Sequence, residues 1–187
     1  MRTWAVAVVL VAGCPRPHPI ERKPMRRTEC REAIEGFVSG DAARLRALPA
    51  GCTLADASAV VAPIEGEARG ELGEQIRTPT LRYFTVPHFG RVRAWLDAEH
   101  IVLFDAEEPP APLDAYLHAL GEPEARLDYA WEHVKLEGAE LVWPARGVVV
   151  AASADVKGVI RVGIFPAMSL AEYRRTTRFL GNIDDSE

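Results

Sequence analysis

Two stretches of the chain, YFTVPHFGRVRAW at residues 83–95 and ELVWPARGVVVAA at residues 140–152, decide the predicted fold. At an offset of 57 residues, four positions match: Pro87 with Pro144, Gly90 with Gly147, Val92 with Val149 and Ala94 with Ala151. Each stretch reads as a strand, a Pro/Gly turn and a second strand. Self-similarity at a fixed offset is the signature of a repeated structural unit. We therefore predict an internal duplication.

Helix signals precede the strands in both halves. Asp41 is placed to cap a helix, Thr53-x-x-Asp56 is a capping box, and residues 113–120 form a helix that ends at Gly121. Short loops such as residues 97–100 join consecutive strands, which are therefore antiparallel hairpins. These signals predict an α+β fold of two tandem helix-then-antiparallel-strand units, with the helices on one face of the sheet.

A closing C-terminal helix is predicted from Ser169 to about Leu180, opened by the capping box Ser169-x-x-Glu172. The first unit spans residues 29–108 and the second spans 109–187, together forming one compact body. Residues 123–131 remain ambiguous between loop and strand. The 187 residues, 48% hydrophobic and 26% charged, suffice for one real core and exclude a low-complexity chain.

The N-terminal residues have the pattern of an export signal. Arg2 is followed by an apolar run at residues 3–11, which is too short for a hydrocarbon core that needs about 20 residues. Two alternatives remain open: a short buried strand followed by an incidental cysteine, and a soluble secreted protein cleaved elsewhere.

The stretch Val11-Ala12-Gly13-Cys14 resembles the bacterial lipobox. The resemblance implies that residues 1–13 are a lipoprotein signal peptide and that the mature chain begins at Cys14. The Cys14 thiol would carry diacylglycerol and its amine a fatty acyl group such as palmitate, and several acyl chains hold a protein stably to a bilayer. The implied location is the cell envelope, on the outer membrane facing the periplasm.

Residues 14–28 are predicted to form a Pro/Arg-rich tether. The segment contains four prolines and carries a net charge of +4, which leaves residues 29–187 at −10 once the signal peptide is removed. A cationic segment suits an anionic lipid surface, and an acidic body is the opposite of a nucleic-acid footprint. We therefore expect membrane contact through the N-terminal lipid, and no nucleic-acid partner.

Two cysteines, Cys30 and Cys52, lie in the folded part. In an exported protein they predict one disulfide, which closes a loop of about 20 residues and contributes on the order of 3 kcal/mol. The alternative is a pair of buried free thiols. The bond would join the first helix to a helix-helix corner.

The order of elements over residues 29–180, together with the lipobox, resembles the SmpA/OmlA outer-membrane assembly lipoproteins. A tandem duplication of such units is similar to the β-lactamase inhibitory protein. The resemblance is architectural, and no residue signature beyond the lipobox carries over. We predict a non-enzymatic module that binds or scaffolds another envelope protein.

Alternation along residues 91–96 sends Arg91, Arg93 and Trp95 to one side of the sheet. If Leu96 opposes Ile101, Arg93 then opposes Phe104 across the hairpin. The predicted open, protein-binding face comprises Arg91, Arg93, Trp95, Val102 and Phe104, with Arg82 and Phe84 as further candidates. Arginine and aromatic residues are typical of interface hot spots. The alternative is that Trp95 and Phe104 pack under a loop or against the other half.

No catalytic residues, cofactor or metal site are predicted, because the sequence contains none of the usual nucleophile, zinc or phosphate-loop motifs. His88, Asp97 and His100 are candidates to converge at one end of the sheet. The alternative is that each side chain is solvated in its loop. The acidic run 105–108 is interpreted as a linker between the halves, with loose Ca²⁺ binding as the alternative. Two other functions remain open: a small envelope hydrolase or ligand-binding protein with a pocket between the halves, and an inhibitor or immunity-type protein.

Overall fold

The computed structural model describes residues 25–74, 78–131, 136–153 and 158–178. The predicted signal peptide, Cys14 and residues 15–24 of the tether lie outside these ranges. Within them the fold is mixed α+β, as predicted.

The described helices are α1 (Met25–Val38), α2 (Leu54–Ser58), α3 (Leu113–Leu120) and α4 (Leu170–Thr176), and 3₁₀ turns span Ala42–Arg44 and Pro144–Arg146. The strands are β1 (Ala62–Pro63), β2 (Ala68–Arg69), β3 (Thr80–Thr85), β4 (Arg91–Asp97), β5 (His100–Glu107), β6 (Ala125–Trp131), β7 (Leu136–Trp143), β8 (Val148–Ser153) and β9 (Val159–Ile164). They form one antiparallel sheet in the order β1-β3-β4-β5-β9-β8-β7-β6, and β2 also pairs with β3.

Several helix boundaries follow the capping signals. Asp56 accepts hydrogen bonds from the Thr53 backbone N–H and hydroxyl, at 2.9 and 2.8 Å. Helix α2 begins at Leu54, directly after Thr53. Ser169 Oγ accepts from the Glu172 N–H at the start of α4. Helix α3 has the predicted bounds.

Other boundaries differ from the prediction. Helix α1 begins at Met25, so residues 25–28 are helical rather than part of an extended tether. Asp41 caps only a 3₁₀ turn, and α4 ends at Thr176 rather than near Leu180. The ambiguous residues 123–131 contain the strand β6.

Apolar side chains cover both faces of the sheet. Helices α1, α2 and α3 contribute Ile34, Ala57 and Tyr116 to a core on one face, which we call the helix face. On the opposite face, α4 contributes Tyr173 to a second core. The prediction of helices on one face therefore fits α1–α3 but not α4. Strand β8 explains why, since its run of valines and alanines is buried on both sides and needs cover from both.

The predicted disulfide is confirmed. Cys30 of α1 is bonded to Cys52, which directly precedes the α2 capping box, and both residues are buried. The bond fixes the N-terminal helix to the α2 corner.

The turn between β7 and β8 requires a glycine. Gly147 has a φ of +61°, and a Cβ at this position would lie 2.1 Å from the Phe165 carbonyl oxygen. Glycine alone meets both the left-handed backbone and the close approach without strain.

When the two halves are aligned at an offset of 57 residues, the aligned residues of β4 and β8 do not lie on the same face of the sheet. Val92 packs in the helix-face core, whereas its aligned residue Val149 packs in the core under α4. Because successive side chains in a strand point to opposite faces, the offset of 57 sets residues of β4 against residues of β8 that lie on the other face.

Candidate functional site

Two of the most deeply buried polar side chains in the described residues lie at the centre of the sheet, on the face that also carries α4. Arg93 of β4 and Asp105 of β5 are directly paired across the hairpin, and both side chains are wholly buried. Arg93 Nε and Nη2 donate to the two carboxylate oxygens of Asp105 at 3.1 and 2.5 Å. This two-pronged arrangement is the strongest geometry available to an arginine and a carboxylate.

Three further residues complete a central cluster that we define as Arg93, Trp95, Asp105, Glu107 and Arg161. The Trp95 indole N–H donates to Asp105 Oδ1 at 2.6 Å. From β9, Arg161 Nη2 donates to Glu107 Oε1 at 3.0 Å, and its Nε lies 3.7 Å from Asp105 Oδ2. Glu107 Oε1 is also 2.8 Å from Arg93 Nη1. The positive charges of the two guanidinium groups thus balance the negative charges of the two carboxylates.

Burial and charge act in opposite directions on the two arginines. Burial by itself lowers the pKa of Arg93, but the charge of Asp105, the hydrogen bond to it and the charge of Glu107 outweigh burial and raise that pKa. For Arg161 burial prevails, aided by the charge of Arg93, and its pKa is lowered despite Asp105 and Glu107. The cluster holds Arg93 in its charged form.

A second polar group continues along the same face toward α4. Glu140 of β7 is wholly buried and accepts a hydrogen bond from the Tyr173 hydroxyl at 3.4 Å. Arg178 Nε lies 3.6 Å from Glu140 Oε2, and Arg178 Nη1 lies 3.2 Å from Glu74 Oε1. Burial, reinforced by the charge of Glu140 and opposed by that of Arg161, raises the pKa of Tyr129 nearby. These contacts fix the end of α4 to the sheet.

The charges of the central cluster are paired within the cluster itself. Its acids and bases are paired with each other at short distance, and Arg93 and Asp105 expose no surface to a substrate. A buried pair of this kind adds little net stability, because desolvation offsets the attraction, but the loss of one partner is strongly destabilising. We assign it a structural role in setting the β4-β5-β9 register.

The predicted open face is wrong for three of its five residues. Arg93, Trp95 and Phe104 are each 0% exposed. Arg91 has 48% of its side chain exposed and stacks over the Tyr83 ring at 5.8 Å. Val102 is half-buried. A partner cannot touch the three buried side chains directly. The burial of Trp95 and Phe104 agrees with the alternative that these two residues pack internally.

A β-bulge explains the error at Phe104. Leu96 does oppose Ile101, as predicted, but the register shifts between Trp95 and Leu96. Trp95 therefore pairs with Leu103 instead of Val102, and Arg93 pairs with Asp105 instead of Phe104. Phe104 turns to the helix face, where it packs against Phe37 and Phe84.

The acidic run 105–108 is not a linker, because Asp105 and Glu107 belong to β5 and pair with arginines. Sequence reasoning missed Asp105 and Arg161 as partners of Arg93. One signal was available: Arg91 and Arg93 alternate on one strand as Asp105 and Glu107 alternate on the next. That complementarity matches the observed register, in which Arg91 opposes Glu107.

The histidine candidates do not converge. His88 lies in the turn before β4, whereas Asp97 and His100 lie at the far end of that strand. Among the described residues, no group of three or more histidine, cysteine, aspartate or glutamate side chains is placed to hold a metal ion.

One cavity of about 260 Å³ lies between residues 78–80, the β4-β5 turn and the end of α4. Its lining includes Leu72, Thr80, Leu96, Asp97 and Thr176. The residues with shifted pKa values, Arg93, Tyr116, Tyr129 and Arg161, are not part of this lining.

No helix in the described ranges has the length and apolarity needed to span a bilayer. Comparisons with protein-family models, with curated proteins and with solved structures found no match.

Proposed function

We propose that this chain is an exported bacterial lipoprotein, anchored through Cys14, whose body is a non-enzymatic protein-binding or scaffolding module at a membrane surface. The observation that carries the proposal is the buried Cys30–Cys52 disulfide. Disulfides persist in oxidising compartments, and this one follows closely on an apolar N-terminal run and a lipobox-like VAGC. Two independent features thus favour the same compartment.

The arrangement of the ionisable groups favours binding over catalysis. The buried acids and bases at the sheet centre neutralise each other, which is the opposite of a site whose groups are poised to transfer protons to a substrate. The proposed partner is another envelope protein, and the proposed location is the outer membrane facing the periplasm. No cofactor is part of this proposal.

The cavity beside α4 supports a second candidate, a small-molecule binding protein. Most of its lining comes from the first half of the chain and Thr176 comes from the second. Hydroxyls and the Asp97 carboxylate would suit a small polar ligand. We rank small-molecule binding second, because the groups with shifted pKa values do not line this cavity.

We also propose that the body consists of two tandem units, related by offsets that differ from strand to strand. The bulge between Trp95 and Leu96 has a counterpart between Ala151 and Ala152. When the two bulges are aligned, each residue of β4 corresponds to the residue 56 positions later in β8. Each residue of β5 then corresponds to the residue 58 positions later in β9. Phe104 then corresponds to Val162, and both pack on the helix face. The strand order, with β1 and β6 at the two edges, supports the same symmetry.

A crosslinked pull-down of the intact chain from its own envelope tests the proposed function. The anchored chain is expected to capture the same envelope protein repeatedly. Cys14→Ala, which leaves the body unchanged but removes the anchor, is expected to lose most of that capture. Turnover of an envelope substrate by the purified chain, or saturable binding of a small ligand in the cavity without any captured protein, would contradict the proposal.

A further inference from the structure

The two edges of the sheet are built differently. At one edge, β3 is covered by β1 and β2, which have two residues each, and β1 contains Pro63. Short edge strands and proline, which has no N–H to donate, prevent a further strand from adding there. At the other edge, β6 is continuous over seven residues and contains no proline. Of the two edges that the described residues form, the second alone is suited to accept another strand.

The outer side of β6 offers backbone hydrogen-bonding groups. In the described chain, β6 pairs with β7 alone, through seven residue pairs. Alternate N–H and C=O groups of an antiparallel strand point away from its neighbour, so an edge strand presents them outward. Arg178 Nη2 donates to the Asp128 carbonyl at 3.3 Å, and a carbonyl oxygen retains a second lone pair after one such bond. The edge is therefore a template for strand addition.

The charges on β6 select the strand that fits it. Arg126 and Asp128 flank Leu127, their side chains are 63% and 74% exposed, and they form an ion pair of 2.8 Å within the chain. In an antiparallel pairing centred on Leu127, each Arg126 faces the second copy's Asp128. Opposite charges in directly facing positions stabilise a strand pair, and like charges destabilise it.

Other registers between two copies are disfavoured by the same residues. A parallel, in-register pairing would place Arg126 beside Arg126, and an antiparallel pairing centred on Asp128 would place two carboxylates together. A pairing centred on Arg126 would set Asp128 opposite Glu124. The register centred on Leu127 also sets Ala125 opposite Tyr129, which extends the apolar side of the strand.

We propose that β6 is a homodimerisation edge, on which the β6 of a second copy adds antiparallel with Leu127 facing Leu127 across a twofold axis. Such an interface is isologous and closes on itself, so it forms dimers rather than fibres. A strand pair buries less than the roughly 1,600 Å² of a standard interface. Confinement on a membrane raises the effective concentration of a second copy, and in this respect the inference rests on the proposed function.

Cysteine crosslinking of the full-length chain in envelope membranes tests the register. Leu127→Cys places two thiols directly opposite each other, within disulfide range, and is expected to give a dimer on mild oxidation. Ala125→Cys, on the same face of the same strand, places them about 13 Å apart along the strands and is expected to give none. The unsubstituted chain measures any crosslinking that does not depend on the introduced cysteine. Equal crosslinking by both variants, crosslinking only to foreign proteins, or none would overturn the proposal.

Charge reversal in the Leu127→Cys chain tests the pairing independently. Arg126→Asp alone and Asp128→Arg alone are each expected to reduce the crosslinked dimer at least severalfold, because each creates like-charge pairs. Co-expression of the two variants with different tags is expected to restore a mixed dimer, since every facing pair is then opposite in charge. Arg46→Asp, which breaks the exposed Arg46–Glu32 pair away from this edge, is expected to change nothing.

The same experiment separates the two proposals. Crosslinking is measured in whichever cell fraction holds the chain. A soluble chain that still dimerises through Leu127→Cys would contradict the anchor and support the pairing. An anchored chain without the dimer, or without rescue by the mixed charge variants, would contradict the pairing and leave the anchor standing.

Discussion

Asp105 shows how one side chain fixes the neighbourhood of three strands. It accepts hydrogen bonds from Arg93 and Trp95 of β4 and faces Arg161 of β9. Each of these contacts lies away from water, so removing the carboxylate would leave two buried guanidinium groups with Glu107 as their one remaining carboxylate partner in the cluster. The charge at this position therefore matters more than its volume.

We predict that Asp105→Ala lowers the free energy of unfolding by about 3–5 kcal/mol, the usual cost of breaking a buried pair from one side. Urea denaturation followed by tryptophan fluorescence measures it. Glu32→Ala, which removes an exposed ion pair with Arg46, is the matched control and should cost less than about 1 kcal/mol. Equal effects from the two substitutions would contradict the structural role assigned to the central cluster.

Tyr116 of α3 predicts a pH dependence. Burial raises its pKa above the ordinary value of 10.0, so the folded chain keeps the phenol proton in a range where the unfolded chain releases it. The resulting stability is present below pH 10 and declines as the pH rises further, by up to about 1.4 kcal/mol per pH unit. Urea denaturation between pH 9 and 12 should show a shallower decline for Tyr116→Phe than for the unsubstituted chain. Identical slopes would refute the assignment.

At the scale of elements, the disulfide joins the two helices that begin the body. It spans 22 residues of sequence between α1 and the start of α2, and α1 supplies Ile34 and Phe37 to the helix-face core. Fixing α1 to α2 therefore also fixes one wall of that core.

We predict that the double variant Cys30→Ala with Cys52→Ala loses about 3 kcal/mol of unfolding free energy, from the loop-closure entropy of the unfolded chain. Chemical denaturation measures the loss. The unsubstituted chain in a reducing buffer should lose a similar amount, which controls for the packing change at alanine. A loss below about 1 kcal/mol in both cases would show that α1 is held by packing alone.

Elements with local signals could be predicted from the sequence. Helix α3 is bounded by Gly121, α2 opens at its capping box, and the two cysteines pair. The register of β4 against β5 could not be predicted from the hydrophobic alternation, in which one extra residue at a bulge leaves no mark. Only the charge complementarity of the two strands indicated it. That single residue moves Phe104 to the helix face and brings Asp105 opposite Arg93.

At the scale of the whole molecule, the sheet is covered on both faces, and this could have been inferred from β8. A strand of consecutive valines and alanines, apolar on both sides, is typical of a position between two layers. The position of α4 depends instead on long-range contacts such as Tyr173 with Glu140, which sequence spacing does not reveal. The sequence does not reveal the contacts of α4, and the alternation in β4 by itself therefore indicates an open face.

A lipid anchor on Cys14 is tested most directly by the intact mass of the chain extracted from cell membranes. We predict a polypeptide that begins at Cys14, carries the added mass of diacylglycerol and a fatty acyl group, and contains one disulfide. In the Cys14→Ala variant the lipid mass should be absent. A membrane-extracted or soluble chain that retains residues 1–13, or in which Cys14 is a free thiol, would contradict the lipid anchor.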